Sequence, residues 1–375
     1  MGVQRASAAV LLGVLSVLAA CGGGGFRQER PRPVSAQVPP VSHDDWRAAG
    51  YRQDWVGYPF MGVSGADMIR DVVVGADAVV LQEKGSRVSV LEATNGQLRW
   101  STGLANPLTR FVGLTRDPSD ANRLIVSSQT EAFTLNMTTG ALIGREPFSR
   151  VVNTAQAPVG GVLVYGTSAG EVLAHRLGGG IKAWGFMGVG TIEAQPVQVG
   201  EFVASVSQRG DVTIFDPRSG TLVGRGTIYG GVESNPVAGS ETVYIAGLDQ
   251  SVWAFRTDGS VRWRHRTPQP LRGQPRVDGG NVYVEIPGEG FTALDAQTGA
   301  VRWSNKDVGG ELVGTRSGRL IVFGNGRVSV LETRKGGTVA SFEVPRVTRI
   351  LADAPADGNL YAITDNNLVV KFAAR

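Results

Sequence analysis

Few residues in this 375-residue chain could do chemistry, and their spacing argues against most kinds of it. There are three histidines, His43, His175 and His265, and none has a second His or a Cys at metal-ligand spacing. His175 reads as a surface position of a strand. Asp216 and Asp295 are carboxylates that could do acid–base work, but each stands four residues before a glycine, in two different repeats. There they can accept hydrogen bonds from turn N–H groups. The sequence contains no Gly-x-Ser-x-Gly elbow, no P-loop and no His-Glu-x-x-His. Gly22 to Gly25 and Gly178 to Gly180 lack the Lys-Ser/Thr that a phosphate loop needs. The densest basic cluster, Arg262, Arg264 and Arg266 around His265, reads as a solvated strand edge, and the formal net charge is only +4. The expectation is a protein without catalytic residues, metal, cofactor or nucleic-acid partner.

One residue does point to a chemical step. Cys21 is the only cysteine. It follows Leu18-Ala19-Ala20, after Arg5 and an apolar run from Ala8 to Ala20 that is too short to span a bilayer. Leu18-Ala19-Ala20-Cys21 resembles a bacterial lipobox, in which the cysteine is lipid-modified after cleavage. The expected organisation is a signal peptide over 1–20, a flexible Gly/Pro-rich tether over 21–45, and one folded domain over 46–375. A lone cysteine leaves no intramolecular disulfide, so stability must come from packing.

The elements that position everything else repeat. Gly96, Gly140, Gly180, Gly220, Gly259, Gly299 and Gly336 are separated by 44, 40, 40, 39, 40 and 37 residues. Each lies after paired β-branched runs such as Val79-Val80-Leu81 and Val88-Ser89-Val90-Leu91, which are hairpin signals. A tight bulged turn needs positive φ, and glycine supplies it without steric cost. Four residues after the glycine stand Trp100, Trp184, Trp263 and Trp303; the other units have Gly144, Gly224 and Ala340. Tryptophan there suits the gap between stacked units. Pro158, Pro196, Pro236 and Pro275 recur at 38, 40 and 39 residues and mark innermost strands. A period near 40 in a strand-rich chain predicts an all-β, eight-bladed β-propeller with four-stranded blades. The last unit, Leu360-Tyr361-Ala362-Ile363 and Leu368-Val369-Val370-Lys371-Phe372, lacks its outer strand. Gln53-Asp54-Trp55-Val56 is expected to supply it and close the ring, with Trp55 in the tryptophan position. Seven blades is the alternative.

The best copy, Ala293, Asp295, Thr298, Gly299 and Trp303, resembles the tryptophan-docking motif of quinoprotein-like propellers. Weaker copies are Glu92, Asn95, Gly96 and Trp100, and Asp216, Ser219 and Gly220. Two branches of that superfamily differ in function. The pyrroloquinoline-quinone dehydrogenases are longer and carry a Ca²⁺ site, a catalytic Asp and, in many members, a vicinal Cys-Cys pair, which this chain lacks. The length, lipobox, tether and eight repeats instead resemble the BamB-like outer-membrane assembly lipoproteins. That resemblance implies a non-enzymatic, lipid-anchored scaffold on the periplasmic face of the outer membrane. It would bind no cofactor, act as a monomer within a complex, dock on a BamA-like protein and serve unfolded barrel clients. It implies docking through loops that lead into the innermost strands of the middle blades. Here these are Gly188 to Glu193 and Gly230 to Glu233, so Thr191, Glu193 and Glu233 are the candidate contacts. The family's Leu and Arg in the first loop are not matched; Gly188, Gly190 and Thr191 stand there. The alternatives are a quinone-dependent oxidoreductase or another envelope-binding propeller.

Overall fold

The structure, a computed structural model, describes residues 42–59 and 68–375. Eight antiparallel four-stranded sheets form the blades of a closed propeller. Blade 1 comprises Ile69–Val74, Ala78–Glu83, Arg87–Glu92 and Leu98–Gly103. Blade 2 comprises Phe111–Asp117, Asp120–Ser128, Glu131–Asn136 and Leu142–Pro147, and blade 3 Ala157–Val159, Val162–Gly166, Glu171–Arg176 and Ile181–Met187. Blade 4 follows with Val197–Val199, Phe202–Val206, Asp211–Phe215 and Leu222–Thr227, and blade 5 with Val237–Ala238, Thr242–Gly247, Ser251–Arg256 and Val261–Arg266. Blade 6 is Arg276–Asp278, Asn281–Ile286, Gly290–Asp295 and Val301–Asn305; blade 7 is Glu311–Arg316, Arg319–Gly324, Arg327–Glu332 and Thr338–Glu343. In each of these blades the strands run in sequence order from the channel outward. The two middle strands are almost wholly buried because both of their faces meet neighbouring blades. Such strands read as continuous apolar runs rather than as alternation.

Blade 8 closes the ring. Val347–Ala352, Leu360–Thr364 and Val369–Ala374 come from the C-terminal end, and Tyr51–Gly57 supplies the outermost strand. That strand pairs antiparallel with Val369–Ala374, Tyr51 opposite Ala374 and Gly57 opposite Val369, with a bulge between Gln53 and Trp55. Pairing the N-terminal strand here removes an open sheet edge. Before it, a short helix, α1 (His43–Ala48), is capped by the Ser42 hydroxyl accepting from the Asp45 N–H. The tether boundary placed at residue 45 therefore falls inside α1. The helix exists for its Trp46, which is 1% exposed, stacks on Phe372 at 3.7 Å and meets Phe342 edge-on at 5.2 Å.

One device holds blade to blade. The turn glycine of each outer hairpin sits at positive φ, for example Gly140 at 72° and Gly220 at 74°. In five of these turns its N–H closes on a carbonyl four residues earlier, as Gly299 does on Asp295 at 2.8 Å. The indole of the preceding blade lies flat on that glycine. Trp55 covers Gly96, Trp100 covers Gly140, Trp184 covers Gly220, Trp263 covers Gly299 and Trp303 covers Gly336. Each indole N–H donates to the carbonyl three residues before the glycine: Ala93, Met137, Pro217, Ala296 and Thr333, at 2.7–3.0 Å. A buried indole removes some 150–250 Å² from water, about 4–6 kcal/mol of gross apolar transfer per seam.

The remaining seams differ. Between blades 4 and 5, Gly224 lets the Gly259 turn pack directly on backbone, so a Cβ at either would collide with main chain. Between blades 7 and 8, Trp46 supplies the indole that Ala340 lacks. Between blades 2 and 3, a Cβ on Gly180 would meet nothing within 4 Å. Glu146 of blade 2 instead reaches over the turn, accepting from the N–H groups of Gly178 and Gly180 at 2.8 and 2.9 Å.

His175 corrects the surface reading. It is 1% exposed, and its Nε2 lies 3.1 Å from Glu146. It follows the outer-hairpin bulge, where the other blades place Leu91, Leu135, Phe215, Phe255, Leu294 and Leu331 in the core. A run in which both faces are buried gives no alternation from which to tell a surface position.

Candidate functional site

Connections between blades, and the turns between each blade's two middle strands, lie at the same ends of the strands and build one face of the ring. The loop from blade 3 to blade 4 is held by its backbone. Gly188 N–H donates to Gly170 O, Ile192 N–H to Thr167 O, and Thr191 O accepts from Gln208 N–H at 2.8 Å. Ile192, 3% exposed, is the anchor that turns the chain inward. The next loop repeats this: Val232 is buried, Gly231 O accepts from Leu248 N–H, and Val232 O accepts from the Gln208 side-chain amide at 2.8 Å. At the channel rim, Gln195 donates its side-chain amide to Gln156 O and its N–H to the Asn235 side chain, both at 2.8 Å. Each blade thereby ties the next at one repeat's spacing, so the loops sit on a preset frame.

On that frame Thr191 is half-buried, while Glu193 and Glu233 are exposed. Glu193 has no hydrogen-bond or ion-pair partner among the described residues, whereas Glu233 pairs with Arg272 of the next loop. Glu193, Glu233 and Arg272 occupy one equivalent position, so charge reverses along the row. The structure thus puts the three candidate residues on two adjacent loops of one face.

Sequence reasoning missed Tyr229. It is 75% exposed on this face, at the repeat position of Val189, which is 47% exposed. Its ring is not loose. The Arg264 guanidinium stacks 5.1 Å from Tyr229 and 4.4 Å from Trp253. The Asp249 carboxylate accepts from Trp253 Nε1 at 3.0 Å, from Tyr229 N–H at 3.3 Å and from Arg264 at 3.4 Å. Arg264, read as part of a solvated edge, instead lies over both rings, which themselves meet at 5.7 Å. The 40-residue offset from Val189 to Tyr229 was the available signal.

Asp216 and Asp295 sit in turns on the opposite face. Asp216 accepts from Arg218 N–H at 2.8 Å. Asp295 accepts from the Gln297 and Thr298 N–H groups at 2.9 Å and from Arg302 at 2.5 Å. Arg302 and those amides hold the Asp295 carboxyl down at about 2. His43 lies on α1, and His265 is half-buried on the outer strand of blade 5. Among the described residues no three His, Cys, Asp or Glu side chains are grouped to hold a metal ion. The channel side of blades 6 to 8 carries a cavity of about 940 Å³ with Arg276, Asp278, Glu311 and Arg349 on its wall, joined by Asp71 of blade 1. Burial pushes the Asp71 carboxyl up, against its bond to Val72 N–H and the nearby Arg349. Cys21, the leading segment and most of the tether lie outside the described residues.

The family model described as outer membrane protein assembly factor BamB matches residues 53–186 and 208–347. Among solved structures, BamB from Moraxella catarrhalis superposes with a TM-score of 0.64 at 16% identity, over 85% of this chain and 97% of that one. The computationally designed protein Ika8 gives 0.68 at 12% identity, over 86% and 99%. At these identities the likeness is one of fold. No curated protein matches the sequence.

Proposed function

The chain belongs to the BamB family, and from that premise we propose that it is a non-enzymatic scaffold of outer-membrane β-barrel protein assembly. It would be anchored through a lipid on Cys21, preceded by a cleaved signal peptide, and carried at the periplasmic face on the tether. The family match over both halves of the propeller carries this reading. The loop face supports it physically. Its backbone is pinned by repeated main-chain bonds, so binding there would cost little ordering entropy. Its exposed groups are mixed in charge and include a braced aromatic ring, the composition of a protein-binding patch.

The proposed partner is a BamA-like protein, engaged by the two loops that carry Thr191, Glu193 and Glu233; barrel precursors would be its clients. The side chains best suited to catalysis are already committed. His175 is tied to Glu146, and Asp295 to its turn and Arg302. Crosslinking in native envelopes followed by affinity capture and mass spectrometry tests the proposal. Recovery of a BamA-like protein, reduced by Glu193→Lys and Glu233→Lys together, is the expected result. A folded, membrane-bound protein that captures none overturns it. An absorbance titration with pyrroloquinoline quinone and Ca²⁺ tests the oxidoreductase alternative; the expected result is no spectral change.

A further inference from the structure

Three repeat positions change together at one seam and nowhere else. Between blades 2 and 3 the docking tryptophan is Gly144, and the buried apolar residue after the bulge is His175. The residue that contacts the next turn, Thr102 between blades 1 and 2 and Asn305 between blades 6 and 7, is Glu146. The turn is rewired to suit. Gly180 N–H goes to the Glu146 carboxylate of the neighbouring blade rather than to its own turn carbonyl. The Glu146 carboxylate therefore gathers three donors, the Gly178 and Gly180 amides and His175, where five other seams have an indole on the turn glycine.

We propose that this seam is a polar latch, the joint at which the ring opens, set by the charge on Glu146. The indole seams hold by apolar area, which does not titrate. This one holds by a carboxylate, which does. Burial alone would raise the Glu146 carboxyl; the two glycine amides and His175 outweigh it and lower it. An ionised Glu146 makes each of these three bonds charge-assisted.

Among the described residues, Glu146 is the one hydrogen-bond partner of His175. Phe148 meets its ring edge-on at 5.1 Å, and the Tyr165 hydroxyl is engaged by Ser127 at 2.8 Å. Lys182, opposite on the outer strand, is tied to Glu171, which Arg150 also faces. Arg176 lies next along the strand and is exposed. The latch should thus hold while Glu146 is ionised and release when Glu146 is protonated.

Hydrogen–deuterium exchange on the purified, folded chain tests this, with rates corrected for intrinsic pH dependence. Amides at Gly178 to Gly180 should lose protection as pH falls from 6 to 3, while the blade 5–blade 6 seam stays constant. His175→Leu restores the residue type of the other blades, so it should fold; without one of the three donors that lower Glu146, it should lose protection at a higher pH than the native chain. Glu146→Gln should speed local exchange about tenfold, the loss of one charged acceptor. Equal pH response in the native chain and in His175→Leu would overturn the proposal, as would opening first at a tryptophan-docked seam. If Glu146→Gln does not fold, the His175→Leu profile alone decides.

Discussion

The seams between blades 5 and 6 and between blades 2 and 3 use equivalent positions to opposite ends. In the first, Trp263 covers Gly299 and donates to Ala296 O at 3.0 Å, with apolar Leu294 behind it. In the second, Gly144 leaves the turn uncovered, and a buried imidazole–carboxylate pair stands in. The fold tolerates both because a propeller seam needs area or satisfied polar groups, not a fixed residue. The lesson is that a symmetric repeat does not confer uniform stability.

The largest test of this contrast is Trp263→Ala. It should cost about 3–5 kcal/mol in equilibrium denaturation, the usual cost of emptying a large aromatic site; a loss near zero would mean that the indole seams are not what holds the ring. Next, Gly299→Ala should cost about 1–3 kcal/mol more than Gly180→Ala. Both need positive φ, but only the first drives a Cβ to 2.6 Å from an indole. Equal costs would erase the difference in packing and leave only backbone strain. A third comparison uses acid. The Glu146 carboxyl is lowered in the folded state, so its stabilisation is present above the ordinary glutamate range and is lost as pH falls through the folded value. Thermal melts between pH 6 and 3 should show Glu146→Gln losing less stability than the parent. The smallest effect belongs to Asp295→Asn. Its carboxyl, also lowered, is at the surface and screened, so the cost at pH 7 should be about 0.5 kcal/mol.

Much of this architecture was legible in the sequence, because the turn sets glycine at positive φ and tryptophan recurs four residues after it in four of the seven units. The closing role of Gln53 to Val56 followed from counting strands. α1 was not legible, since six residues give no period and Trp46 is explained only by Phe342 and Phe372, some 300 residues away. His175 escaped for a related reason: its partner Glu146 is 29 residues away on another blade, a distance at which sequence carries no pairing rule. Of the candidate site, the loops were found from their place before each proline. Tyr229 was not, because its importance lies in the stack beneath it.

The closing strand sets an order of events. Trp55 pairs beside Lys371, so a strand made among the first must wait, unpaired, for one made among the last. Until then blades 1 and 7 each present a bare flank, and no partial chain can reach the final ring. Local hairpins can form as they emerge, but closure is a single late contact of very long sequence separation, which is intrinsically slow. The protein is therefore most vulnerable to misassembly just before its last strand arrives. A permuted chain that joins residues 51–57 directly behind residue 374 should fold faster to the same structure.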